Sequence, residues 1–129
     1  VVAVDTNVLV RYLTRDDPKQ AARAASLVES QEAWIAKTVL LETAWVLESL
    51  YGYGEVTIAG ALRKLAGLES VRLEDPLAVA KALDWSSAGL DLADALHVAS
   101  SGAAERFATI DEKLARRASR QAGLQIMRL

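Results

Sequence analysis

Five acidic residues stand where a carboxylate can do more than solvate a surface: Asp5, Glu42, Asp91, Asp94 and Asp111. The chain has no cysteine and one histidine, His97. That removes thiolate nucleophiles, disulfides and thiolate zinc sites, and makes a multi-histidine zinc site or a Ser-His-Asp triad hard to build. Chemistry in this chain must lean on carboxylates. Brought together they repel one another unless a divalent cation neutralises them, and an all-oxygen ligand set selects Mg2+ or Mn2+ over zinc or copper. One or two such ions, about 3.5–4 Å apart when paired, hold a scissile phosphate, lower the pKa of an attacking water and stabilise the leaving oxygen. The expectation is phosphoryl-group chemistry at a site these acids share, with the flanking Thr6, Asn7 and Thr109 orienting ligands or metal-bound water.

Each acid also has a plain structural role. Asp5 and Asp111 each end a candidate strand and suit a helix N-cap. Asp91 suits one too, and Asp94 then lies at the third helical position, on the same face, where the helix dipole favours a carboxylate. Glu42 is more telling, because it sits in Val39-Leu40-Leu41-Glu42-Thr43-Ala44-Trp45-Val46-Leu47, where seven of nine positions are apolar. If Thr38 caps that helix, the capping-box position falls on Leu41 and Glu42 comes one residue late. Its plain reading is an exposed or paired acid on the wet stripe; rimmed by apolar surface, it would be costly unless a cation compensated it. His97 lies one turn beyond Asp94, and a lone helical histidine is more often a core or surface residue than a ligand.

The elements that must position these residues alternate. Residues 1–4 read as a strand, with neither the basic stretch nor the long apolar core of a signal peptide. Asp5-Thr6-Asn7 offers caps for a helix bearing Val8, Leu9, Tyr12 and Leu13. Asp16-Asp17-Pro18 is a break before an Ala-rich helix over 19–30, and 33–36 form a short strand. Thr38 then caps a long helix whose Leu40, Ala44, Leu47 and Tyr51 share one buried face, ended by Gly52-Tyr53-Gly54. Helices over 55–67, 76–87, 91–101 and 112–121, the last stopped by Gly123, alternate with strands over 71–73, 106–110 and 125–129. Such alternation implies crossover connections and a parallel α/β sheet with helices on both faces.

At 129 residues, 52% hydrophobic and 25% charged, the chain is expected to form one compact soluble domain over 1–129; a disordered or collagen-like chain is excluded. No apolar run approaches the ~18 residues that span a bilayer, and the lack of cysteine suits a reducing cytoplasm. Fifteen Lys and Arg against seventeen Asp and Glu give a net charge of -2, no global argument for a nucleic-acid partner. Locally the balance reverses. Residues 106–129 carry six Lys or Arg against two acids, and Lys113, Arg116, Arg117 and Arg120 fall at i, i+3, i+4 and i+7 just after Asp111. One basic face beside the acids suits a phosphate backbone, with Arg11, Arg15 and Lys19 as candidates to extend it; a solvated helix face is the plain reading.

At Val4-Asp5-Thr6-Asn7-Val8-Leu9 the sequence resembles the PIN-domain ribonucleases, and VDTNVLVRYLTRDDP is similar to the opening of the VapC toxins of bacterial toxin–antitoxin pairs. Three later segments agree in order: LLETAWVLE with Glu42, LADALHVAS with Asp94 and FATIDEKLARRA with Asp111. The resemblance covers nearly the whole chain, with no departure at these four acids. It implies a three-layer α/β/α fold around a mainly parallel sheet. It also implies Asp5, Glu42, Asp94 and Asp111 as catalytic Mg2+ or Mn2+ ligands, Asp91 as an auxiliary acid, and Thr6, Asn7 and Thr109 lining the site. The activity implied is endonucleolytic cleavage of RNA, often structured tRNA or rRNA, by metal-activated water that leaves a 5′-phosphate. A homodimer is implied as well, and a cognate antitoxin whose basic side chain enters among the acids and competes with metal. Leu41, Trp45, Trp34 and Tyr53 are candidates for dimer or antitoxin surface, with core packing expected for most of them.

Three other readings compete. A phosphatase of the haloacid dehalogenase type wants a second Asp two residues after the first; Asn7 stands there, and an amide cannot donate a carboxylic proton. A phosphoreceiver domain wants paired acids after strand one and an Asp ending a middle strand, whereas Asp5 is single and the second strand runs out at Lys37. A PIN fold kept as an RNA- or partner-binding module without turnover is the remaining alternative, and retention of all four acids argues against it.

Overall fold

The computed structural model describes residues 1–121 and 124–129, which form two compact units, Val1–Pro76 and Leu77–Leu129. In the first unit the order is β1 (Val2–Ala3), α1 (Thr6–Thr14), α2 (Pro18–Ser30), β2 (Ala33–Ile35), α3 (Lys37–Ser49), α4 (Glu55–Ala66) and β3 (Val71–Leu73). The strands lie in the order β1-β2-β3, all parallel, with Val2 opposite Ala33 and Ile35 opposite Leu73. Parallel neighbours need long crossovers, and a helix pair supplies each one. Val4, Leu9, Val28, Ile35, Leu62 and Leu65 are buried, which makes Val4 the inward end of an otherwise exposed opening segment.

Local chemistry fixes where the helices begin. Asp5 is extended (φ -95°, ψ 176°) and its Oδ1 accepts the Val8 N–H at 3.2 Å, opening α1. Asp17 does the same for Gln20 at 3.1 Å, with Pro18 in the first turn of α2. The start of α3 differs from the sequence expectation. Ala36, not Thr38, is at the N-cap and offers no side chain; Glu74, just beyond β3, accepts the Lys37 N–H on its Oε1 at 2.9 Å. A carboxylate from a distant segment thus satisfies a free helix donor and lets the helix begin earlier. Leu40, Ala44 and Leu47 are buried as their spacing requires, Tyr51 is half-buried, and Gly52 takes the left-handed turn (φ 70°) that closes the helix.

The second unit carries most of α5 (Pro76–Ser87), then α6 (Leu92–Ala99), β4 (Arg106–Thr109), α7 (Glu112–Gln121) and β5 (Gln125–Arg128). β4 and β5 are parallel, with Arg106 opposite Gln125 and Thr109 opposite Arg128. The strands are parallel throughout, as the alternation implies, in one ladder of three and one of two. The helix stop expected at Gly123 lies outside the described residues. Among the described residues no helix is long and apolar enough to cross a membrane.

Helix α1 packs on both α2 and α3, and Leu9 at its centre is fully buried. Leu9→Ala should therefore cost about 2–5 kcal/mol, read as a lower urea midpoint at unchanged m-value. A loss under about 1 kcal/mol would mean that α1 is anchored elsewhere.

Candidate active site

In the first unit the site residues sit at the start of α1 and on the outer face of α3. Asp5 is exposed and commits Oδ1 to the helix cap, so Oδ2 has no protein donor among the described residues. Thr6 is buried and donates its hydroxyl to Glu42 Oε1, tying the first residue of α1 to the sixth of α3. Glu42 itself is exposed: Leu40, Thr43, Ala44 and Leu47 turn inward and leave it on the opposite side, so its apolar neighbours in sequence do not bury it. Asn7 is exposed beside a groove of about 290 Å3 between α1 and α2. A larger groove, about 530 Å3 and lined by Tyr12, Leu13, Val56 and Leu65, holds none of the acids.

In the second unit three aspartates are within electrostatic reach of one another. Asp91 caps α6, accepting the Asp94 N–H on Oδ2 at 3.2 Å. Asp111 opens α7, its Oδ1 accepting the N–H groups of Lys113 at 2.9 Å and Leu114 at 3.1 Å. The Asp111 N–H in turn goes to Thr109 Oγ1 at 3.0 Å, so Thr109 steadies the backbone that carries the acid. Asp94, half-buried in the first turn of α6, is held above the usual carboxyl range. Burial is the main cause, the negative charges of Asp91 and Asp111 add to it, and His97 opposes it.

All the donors are oxygens, each capping aspartate keeps one oxygen free, and Asp94 gains from any positive charge placed beside it. That chemistry fits a hard divalent cation. Among the described residues no group of three or more acidic or histidine side chains is already set to hold a metal ion.

The cations divide into free and committed ones. Lys113, Arg116, Arg117 and Arg120 are exposed on α7, opposite the buried Leu114, Ala115 and Ala118. Arg117 donates to the Gly89 carbonyl at 2.8 Å, and the other three make no ion pair among the described residues. Arg11, a candidate to extend the basic face, is engaged within its own unit. Its Nη1 binds Asp16 at 3.2 Å and the Tyr51 hydroxyl at 3.1 Å, and its Nε binds Gln20 at 2.6 Å. Tyr51 donates to Asp16 at 2.6 Å, and this bond first, then Thr14 and Arg11, holds the Asp16 carboxyl below its ordinary range. Arg15 lies over the Tyr12 ring at 5.3 Å, while Lys19 is exposed.

Of the four apolar residues expected mostly in the core, Leu41 and Trp34 are half-buried, whereas Tyr53 and Trp45 are exposed. The α3 periodicity already carried the signal for Trp45, which follows Ala44 and so falls off the buried stripe. The Thr6–Glu42 pair joins residues 36 apart and has no local signal.

The PIN domain family profile matches residues 2–120, a span that includes Asp5, Glu42, Asp91, Asp94 and Asp111. The chain belongs to the PIN domain family. A comparison with curated proteins gives no match. PIN domains are typically nucleases, bind nucleic acid and generally use divalent metal ions, and the helix-rich architecture with parallel strands agrees with the family's α/β/α fold.

The state of Asp94 makes this PIN domain's stability depend on pH in a defined direction. A carboxyl whose folded pKa is raised costs stability wherever it is ionised, and the cost disappears as pH falls below its unfolded value, about 3.9. Asp94→Asn removes the charge and keeps the shape. Without divalent metal it should raise Tm at pH 7 and give no gain by about pH 3, followed by circular dichroism. A lower Tm at pH 7 would make the carboxylate a structural anchor instead of a strained neighbour of Asp91 and Asp111.

Proposed function

We propose that this PIN domain is a metal-dependent endoribonuclease, the toxin of a toxin–antitoxin pair, in which Asp5, Glu42, Asp94 and Asp111 supply oxygens to Mg2+ or Mn2+ and Asp91 assists. The observation that carries the reading is Asp94: a half-buried carboxyl pressed by two further aspartates, with only His97 opposing them. The dipole at the start of α6 favours an acid there, yet burial and the charges of Asp91 and Asp111 outweigh it at Asp94. The bound metal supplies an activated water and polarises the scissile phosphate.

The chain's own residues prepare that chemistry. Asp5 and Asp111 each hold a helix start with Oδ1 and keep Oδ2 for a ligand. Thr6 fixes Oε1 of Glu42 and leaves Oε2 without a protein donor among the described residues. Asn7, exposed next to Thr6, lines the site. Lys113, Arg116 and Arg120 attract the phosphate backbone, with Arg117 contributing from its place on Gly89. The toxin role is supported by the VDTNVLVRYLTRDDP opening and the order of the three later motifs. A tRNA or rRNA target, a homodimer, a basic antitoxin side chain competing for the acids, one domain over 1–129 and a cytoplasmic setting belong to the same proposal.

Purified protein incubated with total RNA tests it directly. Discrete fragments should form with Mg2+ or Mn2+ and not with EDTA. Asp5→Asn and Asp94→Asn should lose more than the roughly 100-fold that removing an outer-shell partner costs, with unchanged circular dichroism; Thr6→Val should lose about 10- to 100-fold. No cleavage by folded, partner-free protein with either metal transfers the weight to a binding module without turnover. Arg116→Glu with Arg120→Glu should weaken RNA binding and reduce the salt slope by about 0.7 for each single-strand phosphate that is no longer neutralised. An unchanged slope leaves α7 a solvated face.

A further inference from the structure

One face of α1 carries Asn7, Val8 and Arg11, at i, i+1 and i+4, and α2 presents Gln20, Arg23, Ala24 and Leu27 to it, at i, i+3, i+4 and i+7. These residues line the groove of about 290 Å3. Its floor is apolar: Ala24 is buried, while Val8 and Leu27 are half-buried and so keep part of their surface in water. Its rim is polar. Arg23 is exposed and makes no ion pair among the described residues, whereas Arg11 is already bound by Asp16, Tyr51 and Gln20. The exposed Asn7 carboxamide has no protein partner among the described residues, and Gln20, whose Oε1 accepts from Arg11, keeps its amide N–H groups.

The groove begins at the candidate active site. Asn7 and Arg11 follow the Asp5 cap by two and six residues, roughly 3 and 9 Å along the helix axis, and Asn7 directly follows the Thr6 that holds Glu42. A nucleotide next to a phosphate held at those acids is within reach of it. Size and charge narrow the occupant. One turn of helix with its side chains, about 10 Å across and 5.4 Å high, sweeps about 400 Å3, more than the groove encloses; a small ligand fits. Arg23 asks for an anion, the floor for a flat apolar face, and the two carboxamides for an edge of donors and acceptors. An acidic side chain meets Arg23 but brings no flat face to Val8, Ala24 and Leu27. A nucleotide brings all three features, and the nucleic-acid binding of PIN domains supplies a strand of them.

We propose that the groove between α1 and α2 is a nucleotide subsite. It takes one nucleotide of the RNA strand beside the scissile phosphate, its base on Val8, Ala24 and Leu27, the base edge toward Asn7 and Gln20, and its phosphate on Arg23. The proposal rests on the ribonuclease reading for the scissile phosphate and deepens it: base identity at one flanking position helps to decide where the strand is cut.

The test uses the full chain, isotope-labelled and without divalent metal, so that metal-bound phosphate takes no part. The probes are the four nucleoside 5′-monophosphates, the nucleosides alone and inorganic phosphate. A monophosphate should move the side-chain amide signals of Asn7 and Gln20 in nuclear magnetic resonance and bind more tightly than nucleoside or phosphate, and the four bases should differ in affinity. Arg23→Gln should lose about 5-fold, the upper worth of an exposed ion pair; Arg23→Lys should recover part of it, both at an unchanged urea midpoint. Lys64→Gln, which removes an exposed cation from the larger groove, should change nothing. Ala24→Leu fills the floor and should abolish binding, and Arg23→Gln decides the matter if that overpacked variant does not fold. With Mg2+ or Mn2+, the base preferred beside the cleavage site should be the base whose monophosphate binds best.

Unmoved amide signals, equal affinity for monophosphate and inorganic phosphate, or undiminished affinity in Arg23→Gln would overturn the subsite. So would amide shifts that follow protein concentration without nucleotide, which assign the groove to a second copy of the chain. Shifts with a polyglutamate peptide and none with any monophosphate would assign it to an acidic protein partner instead. Nucleotide in the groove without cleavage under either metal sinks the nuclease reading and leaves the nucleotide site standing. Metal-dependent cleavage with no nucleotide in the groove sinks the subsite alone.

Discussion

A helix must find acceptors for its first free N–H groups, and the candidate site grows out of that need. Asp5, Asp91 and Asp111 each give one oxygen to a helix start and are left with the other. Capping alone does not make a site. Asp17 caps α2 in the same way, next to an Asp16 whose charge Arg11 already meets. The difference at Asp91 and Asp111 is Asp94 between them, whose ionised form is disfavoured by burial and by both neighbours. The fold accepts that cost, which a positive charge placed beside Asp94 would lower.

Glu42 is placed by different means. The centre of α1 is fixed by packing, with Leu9 and Val10 buried, and its two ends are joined to the α3 region by polar bonds: Thr6 to Glu42 at the start, Arg11 to Tyr51 near the finish. Exposed ion pairs such as Arg11–Asp16 contribute little on their own. Their value lies in direction. Apolar packing sets the spacing of the helices, and a hydroxyl donated to one particular carboxylate oxygen adds a directional constraint. Arg11 therefore serves the register of α1 through Tyr51 and Asp16, while Lys113, Arg116 and Arg120 on α7 make no ion pair among the described residues.

Much of this was legible in the sequence because it is local. Asp5, Asp91 and Asp111 announce helix starts through side chains that reach two or three residues along the chain, and the α3 stripe follows from 3.6-residue periodicity. What was not legible depends on distance. Glu74 caps α3 from beyond β3, so the Thr38 cap expected from local residues gives way to a donor–acceptor pair 37 positions apart. Thr6 and Glu42, and Arg11 and Tyr51, meet across 36 and 40 positions. Exposure of Trp45 lies between these cases: the periodicity placed it off the buried stripe, and its aromatic character argued wrongly for the core.

A net charge of -2 looks unfavourable for a protein that binds a polyanion, and the geometry of α7 shows why it is not decisive. In physiological salt the Debye length is about 8 Å, so a phosphate responds to nearby charges far more than to the total. Helix α7 has ten residues and thus spans roughly 15 Å, about twice that length. Asp111 stands at its start, where the helix dipole stabilises a carboxylate, and Arg120 in its last turn, where the dipole stabilises a cation. The two ends are nearly independent in solution. One helix can therefore present an acid to a metal ion at its first turn and cations to a phosphate backbone further along, with neither function neutralising the other.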